Sequence, residues 1–129
     1  MIQLKSIHHI AVICSDYAVS KAFYTQVLGL TLQQEIYRAE RNSYKADLAL
    51  NGQYVLELFS FPRVPARPSY PEAAGLRHLA FAVEEVEKAR QGLLDQGVAV
   101  QEIRVDEHTG KRFCFFADPD GLPLELYEV

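Results

Sequence analysis

The chain reads as short apolar runs and alternating stretches that predict strands, interrupted twice by segments with helical spacing. Ile7 to Cys14 is β-branched and apolar apart from its two histidines, and it predicts a strand. Asp16 follows as an N-cap residue. Val19, Ala22, Phe23 and Val27 then recur at helical spacing over residues 17–28, and Gly29 stands where a glycine would close that helix. Leu30 to Tyr37, Lys45 to Leu50 and Tyr54 to Phe61 read as three further strands. The last two are joined at Asn51-Gly52, a strong hairpin signal.

The same order recurs. Leu76 to Val83 predicts a strand. Residues 85–96 predict a helix with Val86, Ala89, Leu93 and Leu94 on one side, closed by Gly97. Val98 to Arg104, Lys111 to Ala117 and Leu122 to Tyr127 predict strands, the last two flanking the turn Asp118-Pro-Asp-Gly121. The offsets between copies are 69 for His9 and His78, 68 for Gly29 and Gly97, 69 for Gly52 and Gly121, and 68 for Glu57 and Glu125. Four matched pairs in one order indicate duplication of a strand–helix–strand–strand–strand unit. The fold class is α+β, with one βαβββ module over residues 5–61 and a second over 75–128. Residues 62–74 hold Pro62, Pro65, Pro68 and Pro71, four of the six prolines, and predict a stiff extended linker within a single 129-residue domain.

Strand periodicity then gives the repeat a chemistry. Residues of a strand alternate between faces. His9 shares its face with Ala11 and Ile13, and His78 with Ala80 and Ala82, so small residues leave room before each histidine. Glu57 and Glu125 lie among apolar neighbours, where a carboxylate is costly unless it is paired or holds a cation. Two imidazoles and two carboxylates suit a first-row divalent ion such as Ni, Co, Zn, Mn or Fe(II), whereas Ca and Mg favour shells made of oxygen alone. Four protein ligands on an octahedral ion leave two positions for water or substrate. His8 and His108 have no counterpart in the other copy, and the repeat alignment selects His9 over His8.

Composition narrows the partners. The net charge of -4 argues against a general nucleic-acid or anionic-membrane surface. Hydrophobic residues make up 49% of the chain, enough for a core without staples, and the two cysteines, Cys14 and Cys114, do not form a disulfide framework. No apolar run approaches the roughly 18 residues of a membrane span. No signal-peptide pattern opens the chain, so the expected location is cytoplasmic.

Several motifs resemble one known group. They are His9 seven residues before Asp16, Ser20-Lys-Ala-Phe-Tyr with Val27-Leu-Gly-Leu, Glu57, Gly75-Leu-Arg-His78 and Asp118-Pro-Asp-Gly-Leu-Pro-Leu-Glu125. The chain is similar, over nearly its whole length, to the vicinal oxygen chelate superfamily. That group includes glyoxalase I, fosfomycin-resistance thiol transferases, extradiol dioxygenases, methylmalonyl-CoA epimerase and bleomycin-resistance proteins. Within it the likeness is greatest to small YaeR-type, lactoylglutathione-lyase-like proteins.

The resemblance implies curved mixed sheets around a cavity and a metal held by His9, Glu57, His78 and Glu125. Glyoxalase I uses a His, Glu, His, Glu set, and all four are present here. Thiol transferases and dioxygenases use three ligands, with another residue where Glu57 stands; epimerases have Gln there. Short members of the glyoxalase group favour Ni or Co. The implied activity is that of a metal-dependent lyase or isomerase, with Glu57 or Glu125 moving a proton next to a carbonyl. The alternatives are a non-catalytic protein that sequesters a small molecule, and a thiol transferase or dioxygenase. A homodimer is also implied. Two departures bear on the substrate. Bacterial glyoxalase I carries Arg four residues after its first histidine and Asn four residues after its first glutamate, for glutathione; here those positions are Ile13 and Phe61. Among Arg38, Lys45, Arg77, Arg104 and Arg112, the residue expected to bind an anionic substrate is Arg112, beside Phe113 and Phe115, with Tyr127 adding a hydroxyl near Glu125.

Overall fold

Each copy of the repeat folds into its own four-stranded mixed sheet with one helix. A computed structural model of the chain describes residues 1–129 and divides it into two compact units, Met1–Pro65 and Ala66–Val129. The first contains β1 (Ile10–Cys14), α1 (Tyr17–Ala22), β2 (Thr31–Arg38), β3 (Ser43–Leu50) and β4 (Gln53–Ser60). The second contains β5 (Leu79–Val83), α2 (Val86–Asp95), β6 (Arg104–Val105), β7 (Arg112–Ala117) and β8 (Pro123–Glu128). The strand orders are β1-β4-β3-β2 and β5-β8-β7-β6. In each unit the first strand runs parallel to the last and the other pairings are antiparallel. The class is α+β, as the sequence predicts.

One face of each sheet is dry. In the first unit Val12, Cys14, Ala46, Leu48, Leu56 and Leu58 are buried together with Tyr24 and Leu30. In the second, Cys114, Phe116, Leu124 and Leu126 are buried with Val86 and Leu93 of α2. Neither cysteine forms a disulfide. The other face of each sheet carries Glu57 or Glu125.

Local geometry follows the sequence signals closely. Asn51 and Gly52 both take positive φ, 50° and 80°, as a two-residue hairpin with its own right-handed twist requires. Asp16 caps α1 by accepting from the Val19 N–H. Asp118 accepts from the Asp120 and Leu122 N–H groups, which fixes the turn ahead of β8.

Three expectations are corrected. The helix expected over residues 17–28 is α-helical only to Ala22 and continues as a wider π-type turn over Phe23–Val27. Both histidine-headed strands start later than expected, so His9 and His78 immediately precede β1 and β5. The strand expected over Val98 to Arg104 reduces to Arg104–Val105. There the Arg90 guanidinium donates to the carbonyls of Gln101 and Val100, so a side chain satisfies backbone that a ladder would otherwise hold. Helix α2 ends in a Schellman turn, with Val98 N–H bonded to the Leu93 carbonyl and Gly97 at φ 80°.

Candidate metal-binding half-sites

The strand registers give the two glutamates equivalent places. In the parallel pairing of β1 with β4, Ala11 lies opposite Glu57; in that of β5 with β8, Ala80 lies opposite Glu125. An alanine beside each carboxylate leaves its approach open. The preceding histidine then comes within reach. His9 Nε2 is 3.8 Å from Glu57 Oε1, and His78 Nε2 is 2.9 Å from Glu125 Oε2. Within neither unit do three His, Cys, Asp or Glu donors gather closely enough to hold an ion by themselves. Each unit offers one nitrogen and one oxygen donor, a combination that suits a borderline divalent ion such as those expected from the sequence.

The surroundings of the two pairs differ. In the first unit, Tyr54 stacks on the His9 ring, with centroids 5.1 Å apart and planes 14° from parallel. Its hydroxyl donates to Glu57 Oε2 at 3.1 Å. Lys45 Nζ lies 3.3 Å from the same oxygen and 3.1 Å from Asp47, which stands opposite Glu57 across β3. Burial and the bond to Glu57 push the Tyr54 phenol up, which keeps it protonated and donating. The hydrogen bond to Asp47, and secondarily that to Glu57, hold the Lys45 ammonium above its ordinary pKa. His8, bland in the sequence, places its Nδ1 2.8 Å from His9 Nδ1. In the second unit the places of Lys45 and Asp47 are taken by aromatic rings. Phe115 lies opposite Glu125 and meets His78 edge-on at 5.0 Å, and Phe113 stacks on Tyr127.

His78 and Glu125 line an open cleft of about 1140 Å³ in the second unit, together with Arg104, Phe113, Phe115 and Tyr127. Arg104 lies over Phe113 and Phe115, 5.0 and 5.5 Å from their centroids. Arg38 does the same over Phe59 and Phe61 in the first unit, at 4.9 and 5.9 Å.

The structure turns Arg112, expected at the substrate, away from this cleft. Strand parity puts it on the face opposite Phe113 and Phe115. There its guanidinium bonds Glu128 at 3.1 and 2.9 Å and Glu87 at 2.6 Å. Tyr127 does border the cleft, but its hydroxyl is engaged with Asp106 at 2.9 Å and Thr109 at 2.5 Å.

The Arg112 guanidinium, and next the Val86 N–H, hold the Glu128 carboxyl below its ordinary value of 4.5. A carboxylate whose folded pKa is depressed stabilises the fold above its unfolded pKa. That contribution is lost as pH falls through the depressed folded value. Arg112→Met should therefore melt below wild type at neutral pH, and the gap should narrow below pH 4.5. Thermal midpoints of both proteins across that range check this; a gap independent of pH would show that packing, not the ion pair, accounts for the loss.

Comparison with known proteins gives the chain a family. A family model described as the Glyoxalase/Bleomycin resistance protein/Dioxygenase superfamily matches residues 6–126, and the chain belongs to that superfamily. It is 64% identical over 128 residues to YaeR of Escherichia coli (strain K12), covering 99% of each chain. It is 65% identical over 125 residues to YwkD of Bacillus subtilis (strain 168), covering 97% of this chain and 98% of that protein. Among solved structures, a glyoxalase family protein from Enterococcus faecalis is 52% identical with a TM-score of 0.90, covering 96% of this chain and 98% of that one. The superfamily contains many enzymes, and its members typically bind a divalent metal and small-molecule substrates. No helix here is long and apolar enough to cross a membrane.

Proposed function

We propose that the protein is a divalent-metal-dependent lyase or isomerase that moves a proton next to a carbonyl on a small, anionic, oxygenated substrate. The observation that carries this reading is the matched pair of half-sites: in each unit a Glu lies opposite an Ala of the first strand, with the His that immediately precedes that strand within reach of it. His9, Glu57, His78 and Glu125 together would hold one ion, with Ni or Co preferred and Zn, Mn or Fe(II) as substitutes, and Glu57 and Glu125 supply the carboxylate chemistry. When bound, the ion supplies Lewis-acid stabilisation of negative charge developing on substrate oxygen. The protein acts in the cytoplasm as a homodimer.

The two carboxylates divide the work. Tyr54 and Lys45 both engage Glu57 Oε2 and restrict its movement. Glu125 meets His78 from within an aromatic wall and is the carboxylate that takes the carbon-bound proton and returns it to the neighbouring carbon. Arg104, lying over Phe113 and Phe115, receives the anionic group of the substrate in place of Arg112. The ring of Tyr127 bounds that cleft. Glutathione is not the proposed partner, since Ile13 and Phe61 offer nothing to pair with its carboxylates.

The test has two parts. Purified protein is reconstituted separately with Ni, Co, Zn, Mn and Fe(II), and bound metal is measured. Deuterium wash-in from solvent is then followed by NMR on a panel of 2-oxoaldehydes and 2-hydroxyketones bearing a carboxylate or phosphate. The expected result is near-stoichiometric metal and metal-dependent exchange next to the carbonyl. Failure to take up any of these ions would sink the reading. Metal uptake with ligand-induced thermal protection but no exchange would favour a sequestering protein instead.

A further inference from the structure

Tyr54 and Glu57 are three residues apart, a spacing that in a regular strand sends the two side chains to opposite faces. Here they meet, and the reason is a bulge. Leu48 pairs with Leu56 but Ala49 pairs with Tyr54, so β4 carries one extra residue, Val55. A bulge of this kind re-aims the neighbouring side chain. It brings the Tyr54 ring flat against His9 and its hydroxyl onto Glu57 Oε2, so one side chain contacts both members of the first pair. The second unit has nothing equivalent, because β8 begins at Pro123 and its pairing with β7 is regular through Ala117 and Pro123.

The consequence for Glu57 is directional. Oε2 accepts from Tyr54 and faces Lys45, while Oε1 points toward His9 Nε2. The Nδ1 of His9 is meanwhile occupied by His8, which leaves Nε2 as the presented nitrogen. One oxygen and one nitrogen are thus held forward and the opposite atoms are tied back.

We propose that Tyr54 is a positioning residue that fixes His9 and presents Glu57 as a one-oxygen ligand, so that the first half-site is rigid before any ion arrives. This rests on the reading that His9 and Glu57 take a divalent ion. Partners that orient ligands in this way carry about 10- to 100-fold in metal affinity.

The experiment compares full-length wild type, Tyr54→Phe, Tyr54→Leu and Tyr37→Phe. Dissociation constants for Co(II) are measured by competition with a chromophoric chelator, and the Co(II) visible spectrum and the metal-free melting midpoint are recorded for each. Tyr54→Phe keeps the ring and removes the donor; it should bind Co(II) roughly tenfold more weakly, with a changed spectrum and an unchanged metal-free midpoint. Tyr54→Leu removes ring and donor and should approach a loss of about 100-fold. Tyr37, whose hydroxyl bonds Asn42, should behave as wild type when changed to Phe. If Tyr54→Leu does not fold, Tyr54→Phe alone decides. Wild-type uptake with Tyr54→Phe binding within twofold would overturn the positioning role and leave the metal reading standing. A wild type that takes up no Co(II) would overturn both.

Discussion

Glu125→Gln should bind divalent metal more weakly than wild type by more than the roughly 100-fold that orienting partners reach, because it removes a ligand rather than a ligand's support. The amide keeps the size and shape of the side chain, so the fold should survive. Glu125 is only 7% exposed, and a carboxylate so placed is costly when nothing but His78 offsets it. Metal-free Glu125→Gln should therefore melt at or above the wild-type midpoint. With metal present the order should reverse. An ion at about 100 times its dissociation constant adds roughly 2.7 kcal/mol to the wild type by mass action, and the variant should gain almost none of it. Calorimetric scans of both proteins with and without Co(II) check this crossing. Parallel curves, displaced equally by metal, would exclude Glu125 as a ligand.

Leu58→Ala should cost about 2–5 kcal/mol of stability and lower the melting midpoint by on the order of 10 °C. Leu58 is fully buried in β4, with Val12 of β1 and Ala46 of β3 as its register partners on either side. The lost methyl groups lie on the dry face of β4, whereas the adjacent Glu57 points the other way. The change should thus lower the urea midpoint without altering the slope of the transition, and leave metal affinity at low temperature near that of wild type. A shallower slope would instead show that the first unit had lost two-state behaviour.

Much of this architecture was legible in the sequence because it rests on local rules. The hairpin at Asn51-Gly52 follows from φ > 0 at both positions, and the His–Glu repeat follows from period-two faces combined with an offset that stays at 68 or 69 residues. Parity alone also separates Arg112 from Phe113 and Phe115, so its place on the far face was readable from the strand. Its partners, Glu87 and Glu128, were not, because they come from another helix and another strand. The stretch Val98–Arg104 carries a strand signal, but the Arg90 side chain satisfies carbonyls there. Tyr54 and His8 were hidden for a different reason. A one-residue bulge reverses the parity on which face assignments depend, and a ring nitrogen meeting its neighbour's has no sequence signature.

The extra residue at Val55 and the wide turn at Phe23–Val27 also record how the two copies diverged. From the helix cap to the closing glycine, Asp16 to Gly29 is one residue longer than Glu85 to Gly97, and the π-type turn lies in that interval. From the turn glycine to the glutamate, Gly52 to Glu57 is one residue longer than Gly121 to Glu125, and the bulge lies in that one. Each extra residue is accommodated within its own interval, as a local swelling of a helix or a strand. Neither moved Glu57 or Glu125 from its place opposite an alanine. Chain length differs between the copies by single residues while ligand register does not, because a bulge or a widened turn takes up the extra residue before the next donor.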